Sequence, residues 1–296
     1  MHDSQPPRKS AALQTATGWP IAALLVGNIA LAFGPWFVRA ADVGPVAAGF
    51  WRVTIAAPML VALCYAIAPR PFAAARGLGG VLVLTGLAFA GDLASWHLGL
   101  VRTTLANSVL FGNSATLMFP LYGFLAARAW PTRGQGLALA LAAAGAALLL
   151  GRSYELSPGH LAGDLLCLLA GALYTVYLIL MVRVRGAMAP IPTLALSTAA
   201  SIVPMLLLAL ALGETIWPRD WGVLVGLALA SQVLGQGLMI YALRHVTPLV
   251  VGIALLVQPV VAGAVGWIVY GERLGALDFV GAALVAAALV LVRRRE

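Results

Sequence analysis

Two charged side chains stand inside long apolar runs, and they are the first candidates for chemistry. Asp92 interrupts LTGLAFAGDLASWHLGL (84–100), and Arg52 interrupts GFWRVTIAAP (49–58). Hydrocarbon makes an unsatisfied charge costly, so each needs a partner or a water-filled space. Asp92, the only acid placed well inside a helix by this reading, suits two roles: binding a substrate ammonium or carrying a coupling proton. A helix entering the membrane at Pro45 brings Arg52 to about 10 Å depth at 1.5 Å per residue, close to the depth expected for Asp92. The two charges could therefore neutralise each other as a purely structural pair.

Polar residues recur around them at helical spacing. Thr85, Asp92, Ser95 and Trp96 share one face, although Trp96 also suits an interfacial belt and His97 a solvated helix end. The next apolar run carries Asn107, Ser108, Asn113, Ser114 and Thr116, with Asn107, Phe111, Ser114 and Met118 forming a stripe. Interhelical hydrogen bonds average about 0.6 kcal/mol in bilayers and account for one or two such residues better than for five. Gln232, Gln236 and Met239 share a face further on, Gln258 adds an amide, Tyr174 and Tyr177 add phenols, and Asn28 and Trp36 lie in the first run. Amides, hydroxyls, aromatics and methionines with one or two charges suit a neutral or zwitterionic solute, and an amino acid is the expected substrate. A phosphate cargo would call for clustered cations, yet Lys9 is the only lysine. No cofactor and no metal site is expected. Cys64 and Cys167 both fall in apolar runs without paired spacing and read as core.

These residues need membrane-spanning helices to position them. Of 296 residues, 62% are hydrophobic and 9% charged, whereas soluble domains carry roughly 25% charge. Apolar runs of about 20 residues match a ~30 Å hydrocarbon core and recur along the whole chain. Their breaks predict an all-α integral membrane protein with ten spans near 19–40, 45–67, 78–99, 104–127, 134–151, 160–182, 190–212, 221–243, 248–270 and 275–292. The first run is too long for a signal-peptide core and is expected to be retained. Pro35, Pro58, Pro120, Pro204 and Pro259 fall inside spans, and bends at Gly34–Pro35 and Pro259 suit gating hinges or static kinks.

A net charge of +8 lies in short loops, which fits the positive-inside rule better than nucleic-acid binding. With the N-terminus cytoplasmic, twelve basic residues face inward and five outward, leaving Arg52 within a span. Both termini are therefore expected on the cytoplasmic side of the cell (inner) membrane. Gly18 and Pro45 match Gly163 and Pro190 at an offset of 145, while Leu100, Thr104, Gly123 and Arg152 match Leu243, Thr247, Gly266 and Arg295 at 143. The expected organisation is a tail (1–18), one five-helix repeat (19–153), a second (160–292) and a short tail (293–296). Because five is odd, the second repeat must be inverted, with a central cavity near the midplane.

Several segments resemble the drug/metabolite transporter superfamily, and within it the EamA-type exporters. They are GFWRVTIAAP (49–58), GDLLCLLAGALYTVYLILMVRVR (163–185) and QPVVAGAVGWIVYGERLGALDFVGAALV (258–285), in which Glu272 follows Pro259 by 13 residues. The resemblance is greatest to YddG-type amino-acid exporters. It implies ten helices in two inverted repeats, alternating access and export of amino acids or similar metabolites; the direction of transport rests on it alone. The first repeat has Thr116 and Ala129 where the Pro and Glu would fall. Asn28 replaces the first-helix carboxylate of small multidrug members, which argues against a cationic-drug antiporter.

The alternatives are a broader drug/metabolite exporter or a membrane-embedded enzyme. The enzyme is disfavoured because no H-E-x-x-H helix, nucleophile elbow or suitable Asp pair is present. The expected partners are a small-molecule substrate and the lipid bilayer, with no nucleic acid. The Ala-rich surfaces at 142–146 and 286–288 are expected to pack on each other or to form a weak homodimer face, so the chain is a monomer or weak homodimer.

Overall fold

A computed structural model describes residues 18–115, 158–242, 257–271 and 275–293, together with scattered positions between 117 and 148 and at 245, 254 and 255. Among the described residues every regular element is helical. Among the described residues six helices are long and apolar enough to cross a membrane: Trp19–Ala40, Pro45–Ile67, Gly79–Leu100, Gly159–Val184, Pro190–Ala211 and Trp221–Ala242. Residues 1–17 and 294–296 of the expected tails, Thr116, Pro120 and much of the span expected over 134–151 lie outside the described residues, as do Ala142 and Ala146 of one Ala-rich surface.

The first span is not continuous. Helix α1 (Gly18–Ala32) stops at Phe33, and α2 (Gly34–Ala40) restarts with Pro35 in its first turn. Proline has no N–H to return to the preceding turn, and the Phe33 N–H reaches Ala30 O at 3.3 Å instead. Helices α3 (Pro45–Ile67) and α4 (Gly79–Leu100) follow as unbroken spans, with a short 3₁₀ turn at Ala73–Ala75 between them. Next come α5 (Leu105–Gly112), α6 (Pro158–Arg185) and α7 (Pro190–Ala211).

The following span is composite. It runs as α8 (Trp221–Leu227), a π-helical stretch (Ala228–Gln236) and α9 (Gly237–Ala242). The chain closes with α10 (Val257–Tyr270) and α11 (Ala276–Arg293).

Polar contacts gather many helix ends on one face. Arg39, ending α2, donates to Leu100 O at 2.9 Å and stacks over Tyr270 at the end of α10, 5.0 Å from the ring centre. Thr103, before α5, donates to Asp164 in the first turns of α6 at 2.5 Å. Asp42, before α3, accepts from Arg219 N, beside the start of α8, at 2.7 Å. Trp51 packs edge-on against Trp221 at 4.8 Å on this face, and Trp221 is half-exposed.

The start of α3 shows why the loop after α7 is pinned here. Pro45 occupies the first turn and Gly44 has no side chain to cap it, so two backbone donors are left open. Glu214 fills them from across the bundle, accepting from Val46 N at 3.3 Å and Ala47 N at 2.7 Å. A carboxylate at a helix N-terminus is also favoured by the helix dipole.

Inside the bundle, α4 packs along α6, while α1 and α2 pack along the composite span; α3 packs against α7. Similarly α5 lies against α6, α10 against α1, and α5 against α10. Small residues allow these approaches, as small-residue interfaces do in bilayers. At Gly86 a Cβ would lie 2.8 Å from the carbonyl carbon of Ala200 on α7, and at Gly171 one would lie 3.0 Å from Phe111 O on α5.

Candidate functional site

Counted along their helices, several polar residues reach a common depth. Arg52 lies seven residues beyond Pro45, Asp92 eight before Leu100, and Gln258 twelve before Tyr270. At 1.5 Å per residue these are about 10, 12 and 18 Å below the face that gathers the helix ends, near the middle of a ~30 Å hydrocarbon core. A cavity of about 70 Å³ opens at this depth, room for about five waters at ~15 Å³ each.

Its polar wall comprises Arg52, Asp92, Asn113, Gln236 and Gln258, and its apolar wall includes Phe89, Trp96, Tyr174 and Met239. The lining comes from both halves of the chain. Trp96 is fixed by donating its indole N–H to Ser108 O at 3.2 Å, so it faces the cavity rather than a headgroup belt. Tyr174 donates to Gln236 Oε1 at 3.3 Å and stacks on Tyr177, which stacks in turn on Phe89 with centres 4.8 Å apart.

An amide chain crosses three helices beside the cavity. Asn113 donates to Gln258 at 3.4 Å, Gln258 to Asn28 at 2.6 Å, and Asn28 to Leu24 O at 2.7 Å. Asn28 is thus one bond behind the wall. Gln232 is also behind it: its carbonyl accepts from Arg52 Nε at 3.0 Å and its amide donates to Thr198 Oγ1 at 2.9 Å. The π-helical stretch holds Gln232 and Gln236 on neighbouring turns, one gripping Arg52 and the other facing the cavity; such stretches recur at functional sites.

Arg52 and Asp92 do not form the contact pair that their depths suggest. No ion pair within 4.0 Å joins them, and the bond to Gln232 is the only side-chain hydrogen bond of either among the described residues. Both are buried, at 2% and 9% exposure, and both line the cavity.

The remaining expected positions are distributed around this centre. Asn107 lies nearer the gathered face, where the Thr104 side chain caps its N–H at 3.2 Å and its amide donates to Asp164 at 3.3 Å. Phe111 is buried against Cys167, Ser114 Oγ is buried with no hydrogen-bond partner among the described residues, and Ser95 is half-buried off the cavity. Pro35 is buried just past the Phe33 break, and Pro259 follows Gln258 in the first turn of α10.

Two readings need correction. His97 is not a solvated helix end: it is fully buried, with Nδ1 2.8 Å from Pro45 O. Asp92 is not the only acid inside, because Asp164 is fully buried and receives Thr103 and Asn107. Asp164 is the seventh residue of α6, which starts at Pro158, and Thr103 in the turn before α5 covers it. Phe89, Val109 and Leu255 of the lining carry no sequence signal, being apolar residues in apolar helices.

Comparisons with known proteins find one family match and a likeness in fold. The model of the EamA-like transporter family matches residues 161–294, a little under half of the chain. A protein of known crystal structure superposes with a TM-score of 0.66 at 18% sequence identity, covering 95% of this chain and 99% of that one. A comparison with curated protein sequences finds none that matches.

Proposed function

We propose that this multi-pass membrane protein is an EamA-like secondary transporter that carries small neutral or zwitterionic metabolites, amino acids foremost, through the central cavity by alternating access. One observation carries the reading: a polar, charge-bearing cavity lies near mid-depth between helices of both halves. A protein held together only by packing gains nothing from keeping Arg52 and Asp92 in hydrocarbon without direct contact. A transporter needs such a space. The EamA-like match over 161–294 supports the class, and outward movement of amino acids follows the sequence resemblance to YddG-type exporters alone.

The helix directions support an inverted repeat. At the gathered face, α2, α4, α7 and α10 end, while α3, α5, α6 and α8 begin. In the proposed repeat α3 corresponds to α7, α4 to the composite span, and α5 to α10, and each of these pairs runs oppositely. The packing follows the same exchange: α4 on α6 is mirrored by the composite span on α1, and α5 on α6 by α10 on α1. Pro35 and Pro259 would then be hinges of rocking halves.

Flux into proteoliposomes, screened over labelled amino acids, organic acids and amines, tests the function. Wild-type protein should move amino acids above empty liposomes, and Gln236→Leu, which replaces a wall amide by bulk, should cut that flux at least about 10-fold, the worth of one to two kcal/mol. No movement of any solute in the panel would sink the transport reading.

The orientation is tested separately. Cys64 and Cys167 are buried, so thiols introduced by Asp3→Cys and Arg294→Cys can be read against a low background. Neither should react with an impermeant reagent in intact cells, and both should react after permeabilisation. Labelling from outside at either position would overturn the ten-span topology.

A further inference from the structure

We infer that the cavity recognises its solute by dividing a zwitterion between two walls, with Arg52 taking the carboxylate and Asp92 taking the ammonium. The inference rests on the transport reading above and adds how the substrate is told from its neighbours in chemistry.

Arg52 is held by one of its three nitrogens. Its Nε is occupied by Gln232 Oε1 at 3.0 Å, and Gln232 is braced by Thr198 Oγ1 at 2.9 Å. That chain fixes the guanidinium while its two terminal nitrogens make no hydrogen bond among the described residues. The planar fork left open is the shape that receives a carboxylate through two parallel bonds. Asp92 enters from another helix, lines the same cavity, and has no hydrogen-bond donor among the described residues.

Burying a charge without a partner costs several kcal/mol, and a structural pair would close the gap to within contact. Here no ion pair joins them within 4.0 Å, and both side chains line the cavity. A solute with one charge would satisfy one wall and leave the other stranded. A molecule with both charges on one carbon satisfies both, and the stacked Tyr174 and the pinned Trp96 offer an apolar surface to its side chain.

The test uses the full chain in proteoliposomes, with labelled phenylalanine or alanine as the transported probe. Competitors are unlabelled phenylalanine, phenethylamine, which lacks the carboxylate, and 3-phenylpropionate, which lacks the ammonium. Wild-type flux should be inhibited by phenylalanine at concentrations at least about 10-fold below either single-charge analogue, since a charge-assisted hydrogen bond is worth 10-fold or more. In Asp92→Asn, phenylalanine and 3-phenylpropionate should compete within about 3-fold of each other, because the ammonium no longer finds its partner. Equal competition by either analogue in wild type overturns the inference and leaves the transport reading intact. So does movement of other solutes in the panel while phenylalanine and alanine stay still. A protein that moves nothing overturns both.

Discussion

Replacing Arg52 by glutamine is expected to stop solute flux and to lower the stability of the purified protein by about 3 kcal/mol. Stranding a buried charge by removing its opposite costs roughly 3–5 kcal/mol when the two are in contact. The lower end applies here, since Asp92 faces a cavity with room for water rather than a dry contact. The Gln232–Thr198 brace also loses the donor it holds in place. The double change Arg52→Gln with Asp92→Asn removes both charges and should recover more than half of the lost stability. Flux should stay absent in both variants. Thermal unfolding in detergent and liposome flux read the two effects separately. If Arg52→Gln unfolds at the wild-type temperature and transports normally, Arg52 neither balances Asp92 nor touches the solute.

The second large effect is steric. Gly86→Leu should prevent recovery of folded protein, because α4 and α7 meet at Gly86 and Ala200 with backbone close behind. A Cβ alone would lie 2.8 Å from the Ala200 carbonyl carbon and still closer to the Ala200 side chain. The obstacle is helix backbone, which cannot swing aside as a side-chain tip can, and overpacking of this kind costs about 1–3 kcal/mol even for small additions. Gly86→Ala should therefore lower the unfolding temperature measurably. Combining it with Ala200→Gly should restore part of the loss by removing the facing methyl. Gly86→Ala with unchanged stability would show that the two helices are free to separate.

The membrane character of the chain and the boundaries of six of its expected spans were legible in sequence for a simple reason. A bilayer is a uniform apolar solvent about 30 Å thick, so each crossing writes a run of about 20 apolar residues that depends on no tertiary contact. Spans expected over 45–67, 190–212 and 221–243 correspond to helices at Pro45–Ile67, Pro190–Ala211 and Trp221–Ala242. Kinks were legible too where proline removes a donor, as at Gly34–Pro35. Depth was the other readable quantity, because residues per ångström is constant along a helix. It placed Arg52 and Asp92 at one level, where both line the cavity.

Azimuth and partnership belong to the tertiary structure. Which way a residue faces around a helix depends on neighbours that apolar sequence does not name, so nothing marked Phe89 or Val109 as lining, or set Gln232 behind Arg52 and Gln236 in front. Asp164 and His97 sit at positions a lone helix would leave in water, and only the covering turn at 101–104 and the start of α3 bury them. The separation of Arg52 from Asp92 was decided the same way: composition supplies two opposite charges at equal depth, and packing determines whether they touch or hold a space between them.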